Sequence, residues 1–417
     1  MKFSIVSVCF LLSILFFTHK GYSQLTCPSP VPSQYQDAKP GNIVAAYFAS
    51  WDTYGKNKYE VNDIEPVAHK LTHVKYAFAK PNAITGKCEL LDPWADVRAD
   101  LERRTKLGGN FAKLIELKKK FPHLKILLSI GGGADSKSIS EIVRKGMTDT
   151  FIQSCVDILD SFTYQFVHSK TGNRESILFE YPELFDGIDF DWEWLNNNVP
   201  PADAVAFEKI ILSLRQLLND RAKRVKRKAL LTVAIQPNAK VYKALPLGKV
   251  VNAVDWFNLM AYNFATSGGH SVGFNAPLCN QWVPRYGIDH VCNGLMSLGI
   301  PPGKLVLGIP LYGHVYDQAQ EKIGSPFKQT GVTGALTYDL IKARYLNNDA
   351  CHQRWDAVSK VPYVYCPADK LFVSFDNQKS VQEKYNFAQM KSLGGVVFWK
   401  LSGDDDQHSL VHVVNEL

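Results

Sequence analysis

Asp186-Gly187-Ile188-Asp189-Phe190-Asp191-Trp192-Glu193 is a short stretch in which acidic and apolar residues alternate. Side chains of a β-strand point to opposite faces in turn, so Asp189, Asp191 and Glu193 share one face while Ile188, Phe190 and Trp192 share the other. A solvated edge strand would not set Ile, Phe and Trp opposite its acids, and a hard-cation loop would favour Asn, Gly and carbonyl ligands in irregular backbone. Same-face neighbours on a strand lie about 7 Å apart. Three carboxyls crowded in this way cannot all ionise freely, and at least one proton should be held at neutral pH. A carboxyl kept protonated is what general acid catalysis requires.

Short runs of the same β-branched and aromatic character recur on either side of this stretch. With Gly187 to Trp192 itself they are Ile43 to Ala49, His73 to Ala79, Lys125 to Ile130, Ala229 to Ile235, Trp256 to Met260, Leu305 to Ile309 and Gly395 to Trp399. Helical stretches lie between them: in Ala202 to Leu218, Phe207, Ile210, Ile211, Leu214 and Leu217 recur at helical spacing opposite Glu208 and Arg215. Strands alternating with helices predict an α/β fold with a parallel sheet. A doubly wound open sheet would use the same alternation. Several runs, however, end in polar or aromatic residues poised for one rim, where barrel enzymes keep their active sites, so a closed (β/α)8 TIM barrel is expected. The spacing breaks once, and 314–373 reads as a small α+β insertion between strands 7 and 8, since a structureless loop of that length is improbable. The expected division is a signal peptide over 1–23, a lead-in over 24–39, a barrel over 40–313 and 374–417, and the insertion.

At 417 residues with 46% apolar and 12% aromatic content, the chain can bury a large core. Lys2 precedes an uncharged apolar run from Ser4 to Phe17, and Gly21 and Ser23 offer a cleavage point before Gln24. These features predict a secretory signal peptide, an extracellular product and no membrane anchor after cleavage. Without Lys2 and Lys20, the 47 basic residues fall to 45 against 40 acidic ones, a balance too even to argue for nucleic acid or another polyanion. The densest basic run, Arg221 to Lys228, reads as a solvated helix end. Seven cysteines remain after cleavage, and Cys279 with Cys292 and Cys351 with Cys366 are the first pairs to expect from their close spacing. No C-x-x-C spacing suggests a metal site, no metal or cofactor is expected, and a monomer is expected.

The acidic stretch resembles the D-G-x-D-x-D-x-E signature of family-18 chitinases, and further motifs follow in that family's order. Ser129-Ile130-Gly131-Gly132 resembles S-x-G-G on the third strand, and Met260-Ala261-Tyr262-Asn263 resembles M-x-Y-D on the sixth. Gly308-Ile309-Pro310-Leu311-Tyr312-Gly313 resembles the seventh-strand G-I-P-x-Y-G, and Gly394 to Trp399 the eighth strand with its terminal tryptophan. The likeness extends from about Val44 to Asp406.

The resemblance implies hydrolysis of β-1,4-linked N-acetylglucosamine polymers, chitin or chito-oligosaccharides, with the substrate's own acetamide as nucleophile. Glu193 would be acid and base, Asp191 would orient the acetamide, Asp189 would share a proton with Asp191, and Tyr262 would donate to the acetamide oxygen. Trp399 would floor the cleft, Tyr47 and Phe78 would support the aspartates, and Trp194 would face the sugar. Met260, Asn263 and Gly132 complete the expected binding set, and Trp51, Trp94 and Trp282 could extend it.

Three positions depart from the family pattern: Asn263 replaces its aspartate, Gly133 stands where many members have tryptophan, and His314 where arginine is usual. Loss of a negative charge at 263 predicts a lower Glu193 pKa and an activity optimum moved toward acid. Alternatives are an endo-β-N-acetylglucosaminidase acting on N-glycans or peptidoglycan, and a catalytically weak chitin-binding lectin.

Overall fold

The computed structural model of the protein describes residues 27–36, 39–54, 58–98, 107–167, 172–280 and 286–414. The expected signal peptide over 1–23 and Trp282 lie outside the described residues.

All eight apolar runs form parallel strands: β1 (Ile43–Ala49), β2 (His73–Asn82), β3 (Lys125–Gly131), β4 (Gly187–Asp191), β5 (Leu230–Ile235), β6 (Trp256–Leu259), β7 (Leu305–Pro310) and β8 (Gly395–Trp399). Each pairs with its sequence neighbours, and the registers Ala45↔Val397 and Ala45↔His73 join β1 to both β8 and β2. The sheet is therefore a closed (β/α)8 barrel, which leaves no parallel edge exposed.

Alternation along each strand divides the core in two. Val44, Ala46, Phe48, Val74, Tyr76, Ile126, Leu128, Ile188 and Phe190 face outward into the main cluster beneath the helices. Ala45, Tyr47, Ala77, Leu127, Leu230, Trp256, Val306 and Val397 fill the barrel. Strands buried on both faces need apolar residues at nearly every position, so the few inward polar residues stand out as specific.

The helix Pro201–Val225 leads from β4 to β5, with proline in its first turn and a buried stripe of Phe207, Ile210, Ile211, Leu214, Leu218 and Arg221. Arg221 continues that stripe three residues after Leu218, so the basic run does not begin as a solvated helix end. Its guanidinium is buried against Asp160 at 2.6 Å, Arg224 pairs with Asp160 at 2.5 Å, and Arg227 reaches Asp186 at 3.4 Å. Asp186 in turn accepts from the Ile126 backbone N–H at 2.8 Å and from Lys118 at 2.9 Å, which clips the start of β4 to β3 at the end of the barrel away from the cleft.

Between β7 and β8 the chain builds a five-stranded antiparallel sheet, ordered Gly334–Thr337, Tyr312–Tyr316, Leu371–Ser374, Val361–Cys366, His352–Asp356, with the short helix Tyr338–Ile341 packed against it. This is the α+β insertion, and its first strand begins two residues after β7. Cys351 and Cys366 form a disulfide across it. The other disulfide among the described residues joins Cys27 to Cys279, not Cys279 to Cys292. Cys292 is a buried thiol on the inner stripe of the helix Ile288–Ser297, with Ile288, Val291 and Leu295. Proximity in sequence misled here, because the lead-in crosses 252 residues to reach Cys279. An antiparallel hairpin, Ser161–Val167 with Arg174–Glu180, precedes β4 and was not among the runs read from the sequence.

Candidate active site

The strands of a barrel deliver their inward residues in layers, and the layer under the cleft is polar. Asp189, fully buried at the centre of β4, accepts five hydrogen bonds. Its Oδ1 takes Lys75 Nζ at 2.8 Å, Thr232 Oγ1 at 2.5 Å and Asn258 Nδ2 at 2.9 Å. Its Oδ2 takes Tyr47 OH at 2.7 Å and Ser129 Oγ at 2.9 Å. Burial alone would raise the pKa of this carboxyl, but the Lys75 ammonium and the converging donors outweigh burial and hold it below the usual value. Both oxygens are thus occupied, and no hydrogen bond joins Asp189 to Asp191. The expected sharing of a proton between these two carboxyls is not what the structure shows.

Asp191 lies one pleat further along, and its Oδ1 is buried without a hydrogen-bond partner. Burial first, then the charges of Glu193 and Asp189, push its pKa well above the carboxylate range. Glu193 follows the end of the strand, where its backbone N–H donates to Ser136 Oγ at 2.8 Å, and that hydroxyl donates to Gly132 O at 2.9 Å. Burial pushes the Glu193 carboxyl up to about 7. Asp191 and Glu193 therefore hold at least one proton between them at neutral pH, chiefly through burial, with like charge adding to it at Asp191.

Both carboxyls open into a cleft of about 590 Å³ at the carboxyl ends of the strands, lined by Tyr47, Trp51, Phe78, Gly132, Gly133, Met260, Tyr262, Asn263, Tyr286, Tyr312 and Trp399 among others. Trp399 stacks on Phe78 with centroids 5.9 Å apart and meets the edge of Tyr47 at 4.9 Å. Gly132 has φ +82°, and a Cβ there would lie 2.7 Å from the Phe78 ring, so glycine is required for the backbone to pass under the cleft. Burial keeps the Tyr262 phenol protonated, so it remains a hydrogen-bond donor beside the acids.

Trp194 does not face the cleft. It is buried, stacks on Trp192 at 4.7 Å and donates from Nε1 to Asp203 Oδ2 at 3.0 Å, because the backbone turns behind the barrel rim once Glu193 is placed. Trp51 and Tyr312 line the opening in its stead. Trp94 packs on Tyr54 at 5.5 Å outside the cleft lining, and Trp256 is an interior packing residue of β6.

Two of the departures from the family pattern touch each other. Asn263 has φ +58°, a conformation asparagine tolerates, and its Oδ1 accepts from His314 Nε2 at 2.9 Å and from Tyr312 OH at 2.8 Å. His314 Nδ1 faces Ser267 Oγ at 3.1 Å and the Ser267 backbone N–H at 3.5 Å, which leaves Nε2 to carry the proton. Burial pushes His314 down to about 4, so the imidazole is neutral. A neutral amide–imidazole pair thus stands where the family resemblance places a carboxylate and a guanidinium. The net charge of the pair is the same, so the expected acid-shifted optimum loses its cause.

Lys75, Thr232 and Asn258 were not singled out from the sequence, although each is an inward polar residue on a mainly apolar strand. Strand alternation was the available signal. Among the described residues no cluster of three or more His, Cys, Asp or Glu side chains is arranged to hold a metal ion.

A closed barrel with paired acids at the carboxyl ends of its strands is an architecture that glycoside hydrolases use. The chain belongs to the glycosyl hydrolases family 18, whose model matches residues 43–404. It is similar to Chitinase A1 of Niallia circulans, 30% identical over 87% of this chain and 56% of that one. Chitinase 1 of Aphanocladium album is 28% identical over 92% of this chain and 88% of that one. The fold matches the Ostrinia furnacalis Group IV chitinase in complex with allosamidin, with TM-score 0.74 and 27% identity over 89% of this chain and 97% of that one. The chain spans little more than half the length of the Niallia protein, and most of the Aphanocladium one.

Proposed function

We propose that the protein is a secreted chitinase that cleaves β-1,4-linked N-acetylglucosamine chains with retention, using the substrate's acetamide as nucleophile. The observation that carries the reading is the state of the acidic strand: Asp189 immobilised as a carboxylate, Asp191 with a buried unpartnered oxygen, and Glu193 raised to about 7 at the cleft. Glu193 protonates the glycosidic oxygen. The acetamide carbonyl closes on the anomeric carbon to give an oxazolinium ion, and Glu193, now ionised, accepts a proton from the water that reopens it.

In this scheme the free oxygen of Asp191 receives the acetamide N–H, Tyr262 donates to the acetamide oxygen, and Trp399 supports the sugar's apolar face. Tyr47 and Phe78 hold Trp399 and Asp189 in place, while Met260, Asn263 and Gly132 shape the wall and floor. The names of the similar proteins support chitin as substrate, as does the insertion, which places Tyr312 in the cleft wall.

Release of chitobiose from colloidal chitin, set against high-mannose glycan and murein, tests the substrate. Glu193→Gln is expected to lose on the order of 10²–10⁴-fold in kcat, the usual contribution of a positioned acid. Retention of hydrolysis by that variant would overturn the mechanism, and preference for murein or glycan would overturn the substrate.

A further inference from the structure

A lysine side chain inside a barrel, with neither its ammonium nor its stem in contact with solvent, is costly unless its charge is answered. Lys75 is fully buried on β2, and its Nζ lies 2.8 Å from Asp189 Oδ1 and 3.0 Å from Thr232 Oγ1. The rings of Tyr47 and Trp256 flank it at 5.5 and 5.6 Å. The neighbouring donors are fixed in direction. Trp256 Nε1, which can only donate, binds Asn258 Oδ1 at 2.9 Å, and this turns the Asn258 amide N–H toward Asp189. Asp189 Oδ1 therefore faces an ammonium and an amide N–H, neither of which can accept a proton from it.

We propose that Lys75 is a positioning residue for the reaction: its buried ammonium keeps Asp189 a permanent carboxylate, so the proton of the acidic strand is confined to Asp191 and Glu193. This rests on the acid–base role given to Glu193 above. Had Asp189 been free to protonate, it could have taken the proton that the outer two carboxyls need.

The charged and titratable groups around Lys75 come from four strands. They are Asp189 and, further along β4, Asp191 with Glu193 beyond it; Tyr47 on β1; His73 on β2; and Tyr262 past the end of β6. Burial raises the two tyrosines and lowers His73 to about 3, so all three stay neutral near pH 7. Lys75 is thus the cation that balances the strand, and its removal shifts every carboxyl there in one direction.

The test is a charge cycle read on pH–rate profiles. Lys75→Met removes the cation and should move the basic limb of kcat/KM up by about one unit, the scale of a nearby opposite charge. Asp189→Asn leaves the cation and should move the limb down. The double variant Lys75→Met/Asp189→Asn, which removes both charges, should return it to the wild-type position, because replacing both members of a buried pair restores neutrality.

A limb that stays in place in both single variants, or moves the same way in both, overturns the proposal. If Lys75→Met does not fold, Asp189→Asn and the double variant still decide by their difference. Carboxyl NMR of the ¹³C-labelled protein supplies a readout without substrate: Asp189 should remain ionised through the neutral range in wild type and titrate at higher pH in Lys75→Met than in wild type. An Asp189 signal that titrates in wild type would sink the assignment even if Glu193 proves to be the acid. Inactivity of every variant and of wild type on chitin would count against the substrate alone.

Discussion

His314 Nε2 donates to Asn263 Oδ1 at 2.9 Å, so two of the three residues that break the family pattern do so together. A carboxylate at 263 would need a cation opposite it, and burial, which lowers His314 to about 4, works against the imidazole supplying one. Asn263→Asp alone should therefore place an uncompensated negative charge beside the acids. It should raise the Glu193 pKa and move the basic limb of the pH–rate profile upward by about one unit. Adding His314→Arg should bring the limb back. Profiles of the single and double variants check this, and identical limbs in all three proteins would show that the pair is electrically remote from Glu193.

The elevated acid should also be visible in stability. The Glu193 carboxyl is raised from 4.5 to about 7 by burial, so the folded state binds its proton more tightly than the unfolded chain does. Its contribution is fully present below about pH 4.5 and is lost as pH rises through about 7. Glu193→Gln cannot ionise, so it should be no more stable than wild type near pH 4. It should gain on the order of 3 kcal/mol relative to wild type by about pH 8. Denaturant midpoints at the two pH values measure this, and a gap independent of pH would contradict the raised pKa.

The barrel was legible because strand burial on both faces forces continuous apolar runs, and all eight runs became barrel strands. The crowding of Asp189, Asp191 and Glu193 was legible for the same reason, since alternation is a property of the backbone. The roles within the trio were not. They depend on Lys75, Thr232 and Asn258, which arrive from β2, β5 and β6, and a single strand's pattern says nothing of which neighbours close over it. Trp194 and Cys292 failed differently: the first was placed by family resemblance and the second by closeness in sequence, while a backbone turn and a helix face decided where each side chain went.

Two adjacent glycines should separate backbone strain from steric intrusion. Gly132 has φ +82° and a Cβ there would press the Phe78 ring at 2.7 Å, whereas at Gly133 a Cβ would meet Glu193 Oε1 at 3.3 Å, with no positive φ required. Gly132→Ala should cost about 1–3 kcal/mol in stability and lower kcat by displacing Phe78 from under Trp399. Gly133→Ala should change stability by less than about 0.5 kcal/mol while altering kcat/KM through its contact with the acid. Thermal unfolding and steady-state kinetics of both variants would resolve the two effects, and equal losses of stability would refute the distinction.

The basic run at the opposite end of the barrel should sort by burial, not by charge. Arg221 and Arg224 share Asp160, but the Arg221 side chain is 1% exposed and that of Arg224 is 63% exposed. Arg221 also donates to Pro182 O at 3.3 Å, which ties the helix Pro201–Val225 to the segment that feeds β4. Removing Arg221 leaves Asp160 with a partner still in place, so Arg221→Ala should cost about 2–3 kcal/mol, below the full penalty for breaking a buried pair. Arg224→Ala should cost less than about 1 kcal/mol, as exposed pairs do, and that small effect should fade further at high salt. Neither change should alter the pH–rate profile, since both arginines lie at the end of the barrel away from Glu193. Urea midpoints at low and high ionic strength test the ranking, and a larger loss for Arg224→Ala would show that the run stabilises the fold through surface charge after all.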